Sequence, residues 1–171
     1  MVDVRERVAE DRGLLKRIQL HIPGFAGYRR REDLRQADGI LRIQIADRLK
    51  TVRGRMEGAR TTLADNYELK ALEPLGRLIF QTEELEGLIR HAEHGYSGFS
   101  AAIRVEEHEL DKLYEYDLAM VEAIARLDGQ VTVISEAGQA VGAVKACGAS
   151  LEETRLAFKK RMARITGTEV A

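Results

Sequence analysis

The sequence predicts an all-α protein: a single domain forming an elongated antiparallel helical bundle of about five helices, with one long coiled-coil-like hairpin. Ala, Leu, Ile, Glu and Arg dominate its 171 residues, and there are two prolines and no tryptophan, a composition that favours helix. Apolar residues recur at steps of three and four along most of the chain. Two short glycine–aromatic segments, at 21–28 and 95–99, interrupt this periodicity.

The first interruption separates an N-terminal helix, residues 1–20, from the second helix. Pro23 has a fixed φ and no N–H, so a helix cannot continue through it. Phe25 and Tyr28 add large rings suited to burial. We interpret residues 21–28 as a packed corner between two helices, with a binding surface built on that corner as the alternative.

Residues 29–94 are predicted to form the long hairpin. Its first limb, from about 31 to 64, carries a narrow apolar seam, formed by Leu34, Leu41, Ile45, Leu49, Val52, Met56, Ala59 and Leu63. The return limb has Pro74 in its first turn and ends near residue 94. Because this limb is shorter, we expect the seam to be poorly covered and the protein to self-associate.

Two further segments complete the predicted domain. Residues 100–146 read as a fourth helix in which the glycines at 129, 138 and 142 predict kinks. Cys147–Ala149 reads as a break. Ser150 and Glu153 have the spacing of a capping box, which predicts that a C-terminal amphipathic helix occupies 150–166.

An antiparallel hairpin would bring the two glycine–aromatic corners to the same end of the bundle. The candidate binding surface is therefore one aromatic cluster formed by Phe25, Tyr28, Tyr96 and Phe99. All four histidines would lie at that end: His21, His91, His94 and His108.

These histidines are the candidates for a metal site, His91, His94 and His108 above all. Their spacing matches neither a Glu-x-x-His pair nor a His-Glu-x-x-His motif, so we predict no metal and no other cofactor. Cys147 lies alone in a Gly/Ala segment, and no serine shows the pattern of a triad. Catalysis is not favoured, and no catalytic residue is assigned.

Charge is unevenly distributed although the net charge is only −1, which gives no reason to expect a nucleic-acid partner. Residues 29–60 hold ten Lys/Arg and five Asp/Glu, whereas 65–136 hold six and sixteen. We expect basic and acidic helices to face each other within the bundle or between subunits. The alternative is a surface that selects a charged partner.

The sequence lacks a signal peptide and any apolar stretch of membrane-spanning length, so a cytoplasmic protein is predicted. The C-terminal helix is basic and amphipathic, which is also typical of helices that lie on anionic membranes. Closure of the bundle is the favoured interpretation of this helix, and peripheral membrane association is the alternative.

Three segments resemble those of a group of prokaryotic helical proteins. They are Ile22–Tyr28 with Arg31 and Glu32, Gly95–Phe99, and Glu109–Glu115, and the resemblance covers roughly residues 18–127. It implies an all-helical cytoplasmic protein, and it transfers no catalytic or binding residue.

The function expected from these observations is a non-enzymatic helical scaffold or adaptor that makes helix–helix contacts with a protein partner or a second copy. Two alternatives stay open: membrane association through the last helix, and a small-molecule or metal site at the histidine-bearing end.

Overall fold

The computed structural model of the protein describes residues 4–25, 31–92, 107–136 and 138–166. These ranges contain five α-helices and no β-strand, which confirms the all-α prediction. The helices are α1 (Val4–His21), α2 (Arg31–Asp65), α3 (Leu69–His91), α4 (Glu107–Val133) and α5 (Ala140–Thr166).

Helices α2 and α3 form the antiparallel hairpin that the sequence predicts. Arg42, in the first half of α2, donates hydrogen bonds to the Ile89 and Ala92 carbonyls at the end of α3, at 3.3 and 2.9 Å. Near the other end of the pair, the Arg60 guanidinium lies beside Gly76. The last carbonyls of a helix lack intrahelical partners, so Arg42 caps the C-terminus of α3. Its positive charge also stabilises the negative end of the α3 helix dipole.

The turn between α2 and α3 is a Schellman motif with an unusual residue in it. The Tyr67 N–H donates to the Ala64 carbonyl at 3.2 Å, and the Glu68 N–H donates to the Leu63 carbonyl at 2.9 Å. This motif needs a left-handed residue, usually glycine, and here Tyr67 supplies it with φ of 58°. An L-residue with a Cβ pays a steric cost in that conformation.

Helices α4 and α5 form a second antiparallel hairpin. Asp117 in the first half of α4 bonds Arg161 near the end of α5, and Gln130 near the end of α4 bonds Ser150. The two hairpins lie side by side, with α2 next to α4 and α3 next to α5, and α1 packs on α4.

The boundary between the last two helices differs from the prediction. The chain breaks at 134–139, where Gly138 has φ of 74°, and α5 then runs without interruption through Cys147–Ser150. The predicted break at 147–149 and the Ser150 cap are therefore wrong. Cys147 and Ser150 are residues of α5 whose side chains are buried in the protein. This tertiary packing outweighs the low helix propensity of the nearby Gly142 and Gly148.

The apolar seam of α2 is covered by the protein itself. Each seam residue in the described part of α2 is no more than 6 % exposed: Leu41, Ile45, Leu49, Val52, Met56, Ala59 and Leu63. The expectation that this seam is poorly covered is wrong, because α4 packs on α2 in addition to the returning limb α3.

Ion pairs between helices bring the unevenly distributed basic and acidic residues together within the bundle. Asp117 and Arg161 form one that is completely buried, with 2.5 Å between Oδ1 and Nε. Nearer the surface, Arg53–Glu86 and Arg55–Asp128 join basic α2 to acidic α3 and α4, and Arg155–Glu84 joins α5 to α3. Arg90–Asp47 also joins α3 to α2, but with the charges the other way round. Basic and acidic helices thus face each other, as expected.

Candidate functional site

The corner that follows α1 is a packed structural element. Ile22 and Phe25 are buried, and Gly24 has φ of 83°, a conformation that glycine adopts without a steric penalty. Three side chains donate hydrogen bonds to its backbone carbonyls: Gln19 to Phe25, Gln44 to Pro23, and Arg48 to His21. A corner fixed from both flanking helices positions α1 against the bundle.

Phe25 makes an aromatic contact different from those predicted. Its ring meets Tyr114 of α4 edge-to-face, with centroids 6.5 Å apart and planes at 87°. Tyr28, Tyr96 and Phe99 lie outside the described residues, so the predicted four-ring cluster remains a prediction. Nothing in the sequence of the predicted fourth helix singled out Tyr114 as the partner of Phe25.

Two of the four histidines have described positions, and both lie at the corner end of the bundle. The His21 carbonyl accepts a bond from Arg48, while His91 follows Arg90, which pairs with Asp47. His94 and His108 lie outside the described residues. Within the described ranges, no three His, Cys, Asp or Glu side chains form a group that could hold a metal ion.

The apolar face of α5 points into the protein. Leu151, Phe158 and Ile165 are each 3 % exposed, and Arg161, one of its basic residues, is buried against Asp117. Membrane association through this face would require α5 to leave the bundle. No helix in the described part of the chain is long and apolar enough to cross a membrane.

A surface groove, here called the outer groove, lies between α4 and α5 and has a volume of about 450 Å³. Its walls come from Glu115, Tyr116, Ala119, Glu122 and Arg126 of α4, and from Glu153, Leu156, Ala157 and Lys160 of α5. Leu156 is 50 % exposed. Leu156, Ala119 and Ala157 make part of the lining of this groove apolar.

Most of the charges that border the outer groove are already paired. Glu115 pairs with Lys112, Glu122 with Arg17, and Arg126 with Glu153. Lys160 is exposed and has no ion-pair partner among the described residues. The groove therefore presents one uncompensated positive charge one helical turn from Leu156.

A second cavity, the α2–α4 pocket, has a volume of about 260 Å³ and lies on another side of α4. It is lined by Arg48, Thr51 and Val52 of α2 and by Ile124, Ala125 and Asp128 of α4. Burial lowers the pKa of Arg48, and the Asp128 carboxylate acts in the opposite direction. This pocket combines an apolar floor with a partly desolvated guanidinium.

Cys147 is fully buried on α5. Burial raises the pKa of its thiol to about 11, so the thiol stays protonated near neutral pH. Since the thiolate is the nucleophile, this arrangement gives Cys147 the character of an apolar core residue.

Neither the outer groove nor the α2–α4 pocket was predicted from the sequence. Leu156 did offer a signal, because it lies about 200° around the helix from Phe158, on the polar side. No family model, curated protein or solved structure matches the chain.

Proposed function

We propose that this protein is a non-enzymatic helical scaffold or adaptor, and that its outer groove binds one amphipathic helix of a protein partner. The observation that carries the proposal is Leu156, half exposed in the lining of a groove between two long helices. Docking of a helix into such a groove is a recurrent mode of recognition, in which apolar anchors at helical spacing fill the floor.

The shape of the outer groove favours a helix with small and medium apolar anchors. The small side chains of Ala119 from α4 and Ala157 from α5 line the groove together with Leu156. Burying the exposed half of a leucine and an apolar side chain of the partner contributes on the order of 1–3 kcal/mol. Such a contact supplies part of the binding affinity, and the charges around the groove determine which helix is selected.

The charges at the groove specify which helix fits. Three of its acidic residues already have basic partners, whereas Lys160 has none among the residues described. A carboxylate on the partner helix, one turn from its main apolar anchor, would meet Lys160. Complementary charge of this kind contributes mainly to specificity and association rate.

Two other surfaces that the sequence offered for binding, the α2 seam and the apolar face of α5, are occupied within the protein. The seam from Leu41 to Leu63 is buried, and so is the apolar face of α5. Self-association through the seam or membrane binding through α5 would first have to open the core. The outer groove needs no such opening, and we propose a partner in the cytoplasm, the compartment that the sequence predicts.

A display library of amphipathic helical peptides provides the test. Peptides enriched on the full-length protein should carry an acidic residue near an apolar anchor, and Leu156→Asp should weaken their binding by roughly 10–100-fold. Phe80→Asp is the matched control: Phe80 is 67 % exposed on α3, away from the groove.

Two results would overturn the proposal. One is a set of enriched peptides that bind Leu156→Asp as tightly as the original protein. The other is equal weakening by Phe80→Asp, which would indicate nonspecific hydrophobic binding. Circular dichroism of both variants confirms that the fold is retained before binding is compared.

A further inference from the structure

We infer that the α2–α4 pocket is a binding site for a small organic anion, with the negative group on Arg48 and an apolar body on the pocket floor. The inference is independent of the proposed adaptor function, because this pocket and the outer groove share no residue.

Arg48 has more hydrogen-bonding capacity than its surroundings use. Its guanidinium carries five N–H donors, and the bond it makes to another described residue goes to the His21 backbone carbonyl. No carboxylate among the described residues forms a direct bond with it, and partial burial removes some of its hydration. A partly buried cation with unused donors favours an anionic partner.

Asp128 lies close enough to raise the pKa of Arg48, but it forms no direct bond with the guanidinium. Its carboxylate is bonded by Arg55, which also donates to the Asp128 backbone carbonyl. The pocket region therefore contains two guanidinium groups, from Arg48 and Arg55, and one carboxylate. A single negative charge on a ligand would balance this local excess, and a planar guanidinium suits a carboxylate in bidentate geometry.

The rest of the pocket defines the size and polarity of the ligand. Val52 and Ile124 are buried apolar residues, and Ala125 adds a third apolar surface. A volume of about 260 Å³ is just below the roughly 300–1,000 Å³ of pockets for drug-sized ligands. The ligand class that fits is a short-chain monocarboxylate rather than a bare inorganic anion.

The experiment titrates the full-length protein with sodium butyrate at constant ionic strength. A ligand with so few atoms should bind with a dissociation constant on the order of 1 mM. At roughly ten times that concentration, the melting temperature should rise by about 3–6 °C. Arg48→Gln should abolish this shift. Lys50→Gln, which removes an exposed charge from another face of α2, should leave it unchanged.

Ala125→Leu provides a second test that keeps Arg48 and its bond to the corner. The larger side chain fills the pocket, so the butyrate shift should disappear while the fold persists, even if Arg48→Gln proves too unstable to measure. Inorganic phosphate is compared at the same ionic strength. An equal shift with phosphate or chloride, a shift that survives Ala125→Leu, or no saturable shift at all would overturn the inference.

Discussion

Removing one charge from the buried Asp117–Arg161 pair should destabilise the protein far more than removing an exposed charge. Both side chains are 0 % exposed. Asp117→Asn preserves the size of the side chain but leaves the Arg161 cation buried without this counter-charge. The expected cost is about 3–5 kcal/mol, a large fraction of the roughly 5–15 kcal/mol that stabilises a typical domain. Urea unfolding followed by far-UV circular dichroism measures it.

A double variant separates the cost of removing one partner from the net value of the pair. The double variant Asp117→Leu with Arg161→Met retains neither charge. Its loss of unfolding free energy should therefore be smaller than that of Asp117→Leu alone or Arg161→Met alone. Glu73→Gln is the control, since it breaks the exposed Arg77–Glu73 pair and should cost under about 1 kcal/mol. If Asp117→Asn costs no more than this control, or if the single losses simply add, the pair is not a desolvated ion pair.

Three further predictions concern single residues. Phe25→Ala should cost about 3–5 kcal/mol in urea unfolding, because a buried ring at the corner loses its packing; a loss below about 1 kcal/mol would contradict this role. Tyr67→Gly should stabilise the protein by about 0.5–1 kcal/mol and raise its melting temperature, since glycine removes the left-handed strain at little cost; a lower melting temperature would show that Tyr67 makes compensating contacts. The pKa of Cys147 is raised by burial to about 11 from 9.0, so the unfolded thiol ionises first and stability should fall as pH rises from about 9 to 11. That loss should be about 2–3 kcal/mol larger than in Cys147→Ala, and equal pH profiles would exclude it.

The α2–α3 hairpin could be predicted from sequence because its determinants are local. Pro23 excludes helix at the corner whatever surrounds it, and the seam of α2 repeats over many turns, which gives a strong periodic signal. The same signal shows that a face is buried but does not identify what buries it. Coverage of the seam by α4 was therefore missed, and self-association was expected in its place.

The α4–α5 boundary could not be predicted because local and tertiary preferences disagree there. Gly148, two residues before Ser150, suggests a break and a new cap, yet the surrounding side chains are buried and hold this segment in a helix. Gly138, by contrast, has a positive φ and ends the hairpin turn. Sequence alone does not tell which of these glycines adopts which conformation.

The buried ion pair and the outer groove depend on how helices distant in sequence are placed. Arg161 reads as one of several solvated basic residues on the last helix, and its partner Asp117 lies 44 positions earlier. Likewise, the outer groove exists only once α4 and α5 are side by side. Residues at these sites carry no periodic or motif signal that marks their role.

The most direct test of the proposed function maps a selected acidic amphipathic peptide on the protein by NMR. Chemical-shift changes should centre on Ala119, Leu156, Ala157 and Lys160, and Lys160→Glu should weaken binding. A peptide whose acidic residue is replaced by lysine should then regain affinity for the Lys160→Glu variant. Shift changes centred on another face, or the absence of this charge-reversal rescue, would contradict the outer groove as the docking site.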